Sequence, residues 1–290
     1  MRDTPVFRQA HPLYYLFPVL FLFTLLFVIP TVISFFFSMT VWTLTDYRFI
    51  GLDNFRRFFI DDNLRTGLRN TVVYGSLTTA LKTVLGLLLG VLLTGKIRSR
   101  GFIRTMIFFP HLVSLLVIGL TFNVLMHPTR GLFNTILGAI GLQGPDWLGN
   151  ARIALFSVIA VDVWQGLGVA TVIYMAGIQA ISRDYYEAAE IDGASGWQRL
   201  QLITLPLVRS STNMVIILAF TNGMRRFDFI WTMTRGGPGF ATDVLSSIIY
   251  KQYAAGFYGL STAGNVLMFL MIALISFPMY RFLTSREEVL

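Results

Sequence analysis

The sequence contains no cysteine, which excludes disulfide frameworks, thiolate metal sites and catalytic thiols. Histidine is nearly as scarce. His11, His111 and His127 stand far apart and share no ligand spacing, so interfacial or packing roles are expected and no metal site is. Charge is sparse too: 13% of the 290 residues are Asp, Glu, Lys or Arg against 54% apolar, too little polar surface to cover a water-soluble globule. No low-complexity tract, linker or convincing internal repeat divides the chain, so one membrane domain spanning 1–290 is expected.

Long apolar runs are what the chain has instead. A hydrocarbon core of ~30 Å needs about 20 helical residues per crossing. Six windows reach that length, roughly 13–39, 70–94, 103–126, 153–178, 207–234 and 261–284, and predict an all-α integral membrane protein with six transmembrane helices. The first run is about twice the length of a signal-peptide core and has no small-residue cleavage site behind it, so it is expected to stay as an anchor. The net charge of +8 is spread over short stretches between the runs. Membrane headgroups fit that distribution, and nucleic acid does not.

An even number of spans puts both termini on one side. The turn around Lys96, Arg98, Arg100 and Arg104 is strongly basic, which makes it and both termini cytoplasmic by the positive-inside tendency. Arg2, Arg8, Arg183, Arg199, Arg209, Arg281 and Arg286 fall on the same side. Arg48, Arg56, Arg57, Arg65 and Arg69 crowd the first external loop and weaken the bias. In that loop Leu52, Phe55, Phe58 and Phe59 recur at helical spacing, which reads either as a short helix in the membrane interface or as a cap over the bundle. After the fifth run, Arg235-Gly236-Gly237-Pro238-Gly239 cannot continue a helix and turns the chain on the outer face. Tyr250, Tyr253, Phe257 and Tyr258 suit an aromatic belt before the last span.

Gly90 to Lys96 has P-loop spacing, but Ile97 replaces the Ser/Thr that would hold magnesium and no strand precedes it. The stretch is read as a helix end. Gly86 and Gly90 are spaced to let two helices approach closely.

The polar stretch between the fourth and fifth runs, Tyr185 to Leu200 within a loop of about 182–206, carries more information. Helix formers lead to Gly193, Ser195 can cap a second helix, and Pro206 begins the next span, so the shape implied is helix, turn, helix. Its smooth Ala188–Ala189 face flanked by Glu187 and Glu190 is built to dock into another protein, unless the stretch is simply a solvated surface loop. Glu187-Ala188-Ala189, three residues, Gly193, nine residues, Ile203, one residue and Leu205-Pro206 reproduce the EAA motif, and on these residues the chain resembles ABC importer permeases with the MetI-like fold. Gly51 to Phe55 with Asn70-Thr71, and Phe227-Asp228 followed by Met233 to Pro238, resemble the sugar branch, the MalF-like permeases of disaccharides and oligosaccharides. The similarity spans nearly the whole chain.

The resemblance implies that the loop couples to an ATPase subunit: Glu187 contacts its basic residues, Gly193 permits the tight turn, and Ala188, Ala189, Asp192, Leu205 and Pro206 complete the element. It implies a homologous second permease subunit, two ATPase chains carrying ATP and Mg, an extracytoplasmic binding protein received in part by Gly236, Gly237 and Pro238, an oligosaccharide substrate, and a bacterial inner membrane location. This chain itself would carry no catalytic residue and no cofactor.

Ionisable groups inside spans cost roughly 2.5–3.5 kcal/mol each on insertion scales, so Lys82, Asp162, Arg225, Arg226 and Asp228 each need a partner or a water-lined path. Asp162, Trp164, Gln165, Asn222, Arg225, Arg226, Phe227 and Asp228 are the candidates for a substrate path, because the relatives' fourth and fifth spans contribute the sugar contacts. Two readings of the arginines stand. In one they line the cavity and favour an anionic, uronate- or alginate-type saccharide. In the other Arg225 pairs with Asp228, and Arg226 with Asp162 or a partner-subunit group. Glycerol phosphate or another small organic anion is the alternative substrate. A secondary transporter is the alternative class, which would need an ion-coupling carboxylate inside a broken helix, and no span shows a mid-helix Gly/Pro break next to such a group.

Overall fold

The computed structural model describes residues 13–43, 45–95 and 98–285. The readings made on Arg2, Arg8, His11, Lys96, Ile97 and Arg286 lie outside them. The first span, α1 (Phe17–Phe37), widens into a π turn over Thr24–Val28. Pro30 follows that turn, and a residue without an N–H cannot close the ordinary helical bond there. The chain then makes a two-stranded antiparallel hairpin, β1 (Thr40–Trp42) and β2 (Tyr47–Phe49), with Val41 opposite Arg48.

The loop after the first span does contain a helix, α2 (Asp53–Ile60), and it caps the bundle. Asn54 donates to the carbonyls of Ser38 (2.9 Å) and Thr40 (2.8 Å), while Phe58 is buried against Leu64, Leu245, Leu260 and Ala263. Asp61 then caps the longest helix, α3 (Asp62–Thr94), by accepting from the backbone N–H of Asn63 and Leu64.

Two spans expected to be continuous are broken. The third is α4 (Arg100–Leu112) and α5 (Leu115–Leu125), bent by 100°. Pro110 removes a backbone donor near the end of α4, and Val113 and Ser114 are extended. A short helix follows, α6 (Leu132–Ala139), and then the unbroken α7 (Ala154–Gln179).

The polar stretch is indeed a helix, a turn and a helix: α8 (Arg183–Ile191), then α9 (Gly196–Leu207). Pro206 does not begin the next span. It lies inside α9 behind a second π turn (Leu200–Thr204), and the chain bends by 67° two residues later, at Val208, into α10 (Arg209–Met224). The fifth span ends at Met224 rather than running to 234, because Arg225, Arg226 and Phe227 leave helical geometry before α11 (Asp228–Met233). After the glycine-rich turn come α12 (Leu245–Ala254), which carries Tyr250 and Tyr253, and the last span α13 (Tyr258–Thr284). Among the described residues four helices are long and apolar enough to cross a membrane, and the number rises to six when each bent pair crosses as one.

The centre is α3 packed along α7. A Cβ on Gly86 would stand 2.7 Å from the Ala170 Cβ, and one on Gly90 2.7 Å from the Tyr174 Cβ, so these two glycines set the close approach. On its other side α3 meets α10, where Gly75 and Gly223 lie backbone to backbone. Gly90 to Thr94 of the stretch with P-loop spacing are thus the last turn of α3.

Candidate functional site

Three places gather the residues singled out in the sequence. The first is the α8–α9 protrusion. Ser182 caps α8 through the Asp184 N–H. At the other end the Gly193 N–H donates to the Glu190 carbonyl (3.1 Å) and the Ala194 N–H to that of Ala189 (2.8 Å), with Gly193 at φ +76°. This is a Schellman ending, which glycine closes without a side-chain penalty. Ser195 then starts α9 with a capping box, its backbone N–H donating to the Gln198 side chain at 2.7 Å. Tyr186 and Thr204 share a hydrogen bond of 3.0 Å that staples the two helices near their base. Nothing in α8 is buried, Ile191 is 87% exposed, and Trp197 and Leu202 are exposed as well. Glu187, Ala188 and Asp192 lie open to solvent with Ala189 half-buried, so the motif is presented on a rigid, apolar-edged knob.

The second place is a charge cluster inside the bundle. Asp162 on α7 is 0% exposed; Lys82 of α3 reaches its Oδ1 at 2.9 Å, and Arg226 reaches it with Nη2 at 3.0 Å and Oδ2 with Nε at 3.1 Å. Two cations share one carboxylate. A small cavity of about 80 Å³ opens beside them, lined by Lys82, Arg226, His111, Gln165 and Asn222, with Gln165 and His111 3.3 Å apart. Four of the eight candidates therefore meet here: Asp162, Gln165, Asn222 and Arg226. The other four do not. Trp164 points away against Phe122 with ring centroids 5.2 Å apart, and Phe227 stacks on Trp231 at 5.5 Å. Arg225 is exposed and makes no ion pair with Asp228, since the helix that would have put them at i and i+3 ends before either. Of the pairings offered by the second reading, Arg226 with Asp162 forms and Arg225 with Asp228 does not. Lys82 was legible as a costly charge in a span. Its partner was not, because nothing in a linear sequence gives the rotation of α3 against α7. His111 was read as packing or interfacial; the bend after Pro110 turns it toward Gln165.

The third place is the turn at the opposite end from α8–α9. Gly236 is at φ +87° and Gly239 at +52°, and the bond between Gly237 and Pro238 is cis. Thr242 donates to the Gly237 carbonyl at 2.7 Å. Asp243 packs directly on Gly236 while pairing with Lys251 at 2.7 Å. Asn70 ties this turn to α3 by donating to the carbonyls of Ala241 and Asp243, and Thr71 accepts from the Leu245 N–H at 2.7 Å. Asp243 and Lys251, which hold the turn, gave no sequence signal of their own.

The profile of the family described as "Binding-protein-dependent transport system inner membrane component" matches residues 82–289. The chain belongs to this family. The permease is 33% identical over 257 residues, 88% of its length and 87% of the relative's, to the trehalose/maltose transport system permease protein MalF of Thermococcus litoralis. It is 32% identical over 247 residues, 82% of each chain, to the sn-glycerol-3-phosphate transport system permease protein UgpA of Agrobacterium fabrum. Among solved structures, a bacterial ABC transporter involved in the import of the acidic polysaccharide alginate superposes with a TM-score of 0.83 at 22% identity, covering 94% of each chain. That likeness gives the fold of the permease: a mostly helical, multi-pass membrane subunit.

Proposed function

We propose that this permease imports oligosaccharides in an ATP-driven complex with a homologous permease subunit, two ATPase chains that bind ATP and Mg, and an external binding protein. The observation that carries the reading is the α8–α9 knob: the motif residues Glu187 to Gly193 stand exposed on a helix locked at both ends, joined through α9 to the span α10. A knob seated in a cleft of a closing ATPase dimer would move α10 as a rigid lever, and α10 leads to Arg226 beside the cavity. Leu205 and Pro206 sit at the end of α9, before the bend into that lever. On this reading the α8–α9 end and both termini face the cytoplasm, and the Gly236-Gly237-Pro238 turn faces the binding protein.

The substrate class draws support from the sugar named for the Thermococcus relative. Reconstitution in proteoliposomes tests both parts. Glu187→Ala is expected to lose ATP-coupled oligosaccharide uptake and ATPase association while the permease still folds. Uptake that persists without ATP and follows an ion gradient would make it a secondary transporter.

One observation favours an anionic substrate. Lys82 and Arg226 together exceed the charge of Asp162 by one, and both line the cavity. A uronate oligomer or an organic phosphate would meet that excess. Faster uptake of uronate than of neutral oligosaccharides, with the preference abolished in Lys82→Met, supports this substrate. Equal rates for both sugars, unchanged by the substitution, leave the cluster structural.

A further inference from the structure

A cleft of about 920 Å³ lies between the α8–α9 knob and the adjoining ends of α3 and α4, away from the charge cluster at Asp162. Four guanidinium groups line it, those of Arg100, Arg104, Arg183 and Arg199, and no carboxylate does. Among the described residues Glu190, 73% exposed, pairs with one of the four, 3.8 Å from Arg199. Among the described residues Arg100 and Arg183 form no ion pair. Arg104 spends one nitrogen on the Leu93 carbonyl at 2.9 Å, and its Nε is buried with no hydrogen-bond partner. The first residues of α4 and α8, Arg100 and Arg183, both stand at the cleft, adding the positive ends of two helix dipoles. Asp184 faces a different cleft with Tyr185 and Ile203.

Val91, Ile178, Ile181 and Leu200 give the rest of the wall an apolar side, with Thr94, Gln179, Tyr186 and Thr204 completing it. Val91 and Ile178 belong to the last turns of α3 and α7, which are membrane-crossing helices. The cleft thus joins a cationic floor to an apolar side at the depth where a bilayer's headgroups begin. We propose that it holds the phosphate of an anionic phospholipid, with the glycerol and upper acyl chain against the apolar wall. Basic pockets between spans take such headgroups, and a soluble phosphate has no use for the apolar half. Guanidinium pairs a phosphate in bidentate fashion, which suits the four arginines. A lipid seated there would wedge the knob at a fixed angle to the bundle.

The test uses the permease purified in its native complex and placed in nanodiscs of phosphatidylcholine, alone or mixed with phosphatidylglycerol, with retained lipid counted by native mass spectrometry. Wild type should retain phosphatidylglycerol. Arg100→Gln should weaken retention about fivefold, the loss expected for one basic side chain near a headgroup. Arg100 is exposed and unpaired, so the variant should fold, as its melting temperature in phosphatidylcholine will report. Arg100→Lys should keep most of the retention, and Arg65→Gln at the far end should keep all of it. Equal retention in wild type and Arg100→Gln would overturn the proposal. So would displacement of the lipid by inorganic phosphate, which would mark a soluble-anion site, or loss of ATPase chains from Arg100→Gln with lipid retention unchanged, which would mark a subunit interface.

Discussion

A carboxylate buried between two cations has an asymmetric dependence on its members. Removing Asp162 leaves Lys82 and Arg226 facing each other without the carboxylate they share, whereas removing Lys82 leaves a one-to-one pair. Breaking a buried ionic cluster in the first way costs about 3–5 kcal/mol. Asp162→Asn is therefore expected to melt far below wild type in detergent, while Lys82→Met stays close to it; tryptophan fluorescence on heating distinguishes them. Equal melting of all three would mean that the cluster contributes nothing to stability. The sequence offered Arg226 either a place on the substrate path or a pairing with Asp162 or a partner-subunit group, and only packing brings it to Asp162. Asp162 lies in an uninterrupted helix whose polar face looks inward, but the geometry of Arg225 and Arg226 depends on where α10 stops, one residue after Gly223.

Among the elements, α8–α9 is the most local, and so the most legible. Its caps, its glycine and its helix formers act within a few residues of one another, which is why helix, turn and helix could be drawn before any coordinates. At Gly193 an added Cβ would meet nothing within 4 Å, so substitution there is a backbone problem alone. A left-handed residue with a branched side chain costs ~1–2 kcal/mol. Gly193→Val is expected to uncouple ATPase activity from uptake without lowering bundle stability, and Gly193→Asn should largely preserve coupling. Gly90 is the opposite case. Its φ is helical, but a Cβ there would press on Tyr174. Gly90→Leu is expected to push α3 from α7 at a cost of ~1–3 kcal/mol, seen as a lower yield of folded protein and a lower melting temperature. The broken spans were the least legible elements. Pro110 and Pro206 announce irregularity, yet each bend falls at residues after the proline, Val113–Ser114 and Val208, chosen by what the following helix packs against.

At the scale of the whole molecule, α1 is conspicuous because none of its hydrophobic window is buried within the chain, although α7 is more than half buried over its own. A span so bare meets lipid or a second subunit. The proposed pairing with a homologous permease predicts the latter for part of its surface. The absence of native cysteine makes Leu26→Cys the sole thiol, so a benzophenone attached there reports the neighbour directly. The expected product of illumination in the intact complex is a cross-link of two permease subunits; adducts with lipid alone would remove α1 from that interface.

Hydrophobic run length, basic turns and the short-range chemistry of caps and turns determined that this is a helical membrane chain, roughly where its spans lie, and that a helix, a turn and a helix stand between the fourth and fifth. Each of those follows from residues near one another in the chain. Which charges meet, how Pro110 and Pro206 redirect their spans, that Asn70, Asp243 and Lys251 clamp the turn at Gly236, and that four arginines close around one cleft were decided only by the packing of α3, α7 and α10. Those outcomes depend on the rotation and depth of one helix against another, which is set by side-chain interdigitation over the whole bundle and leaves no periodic trace in the sequence.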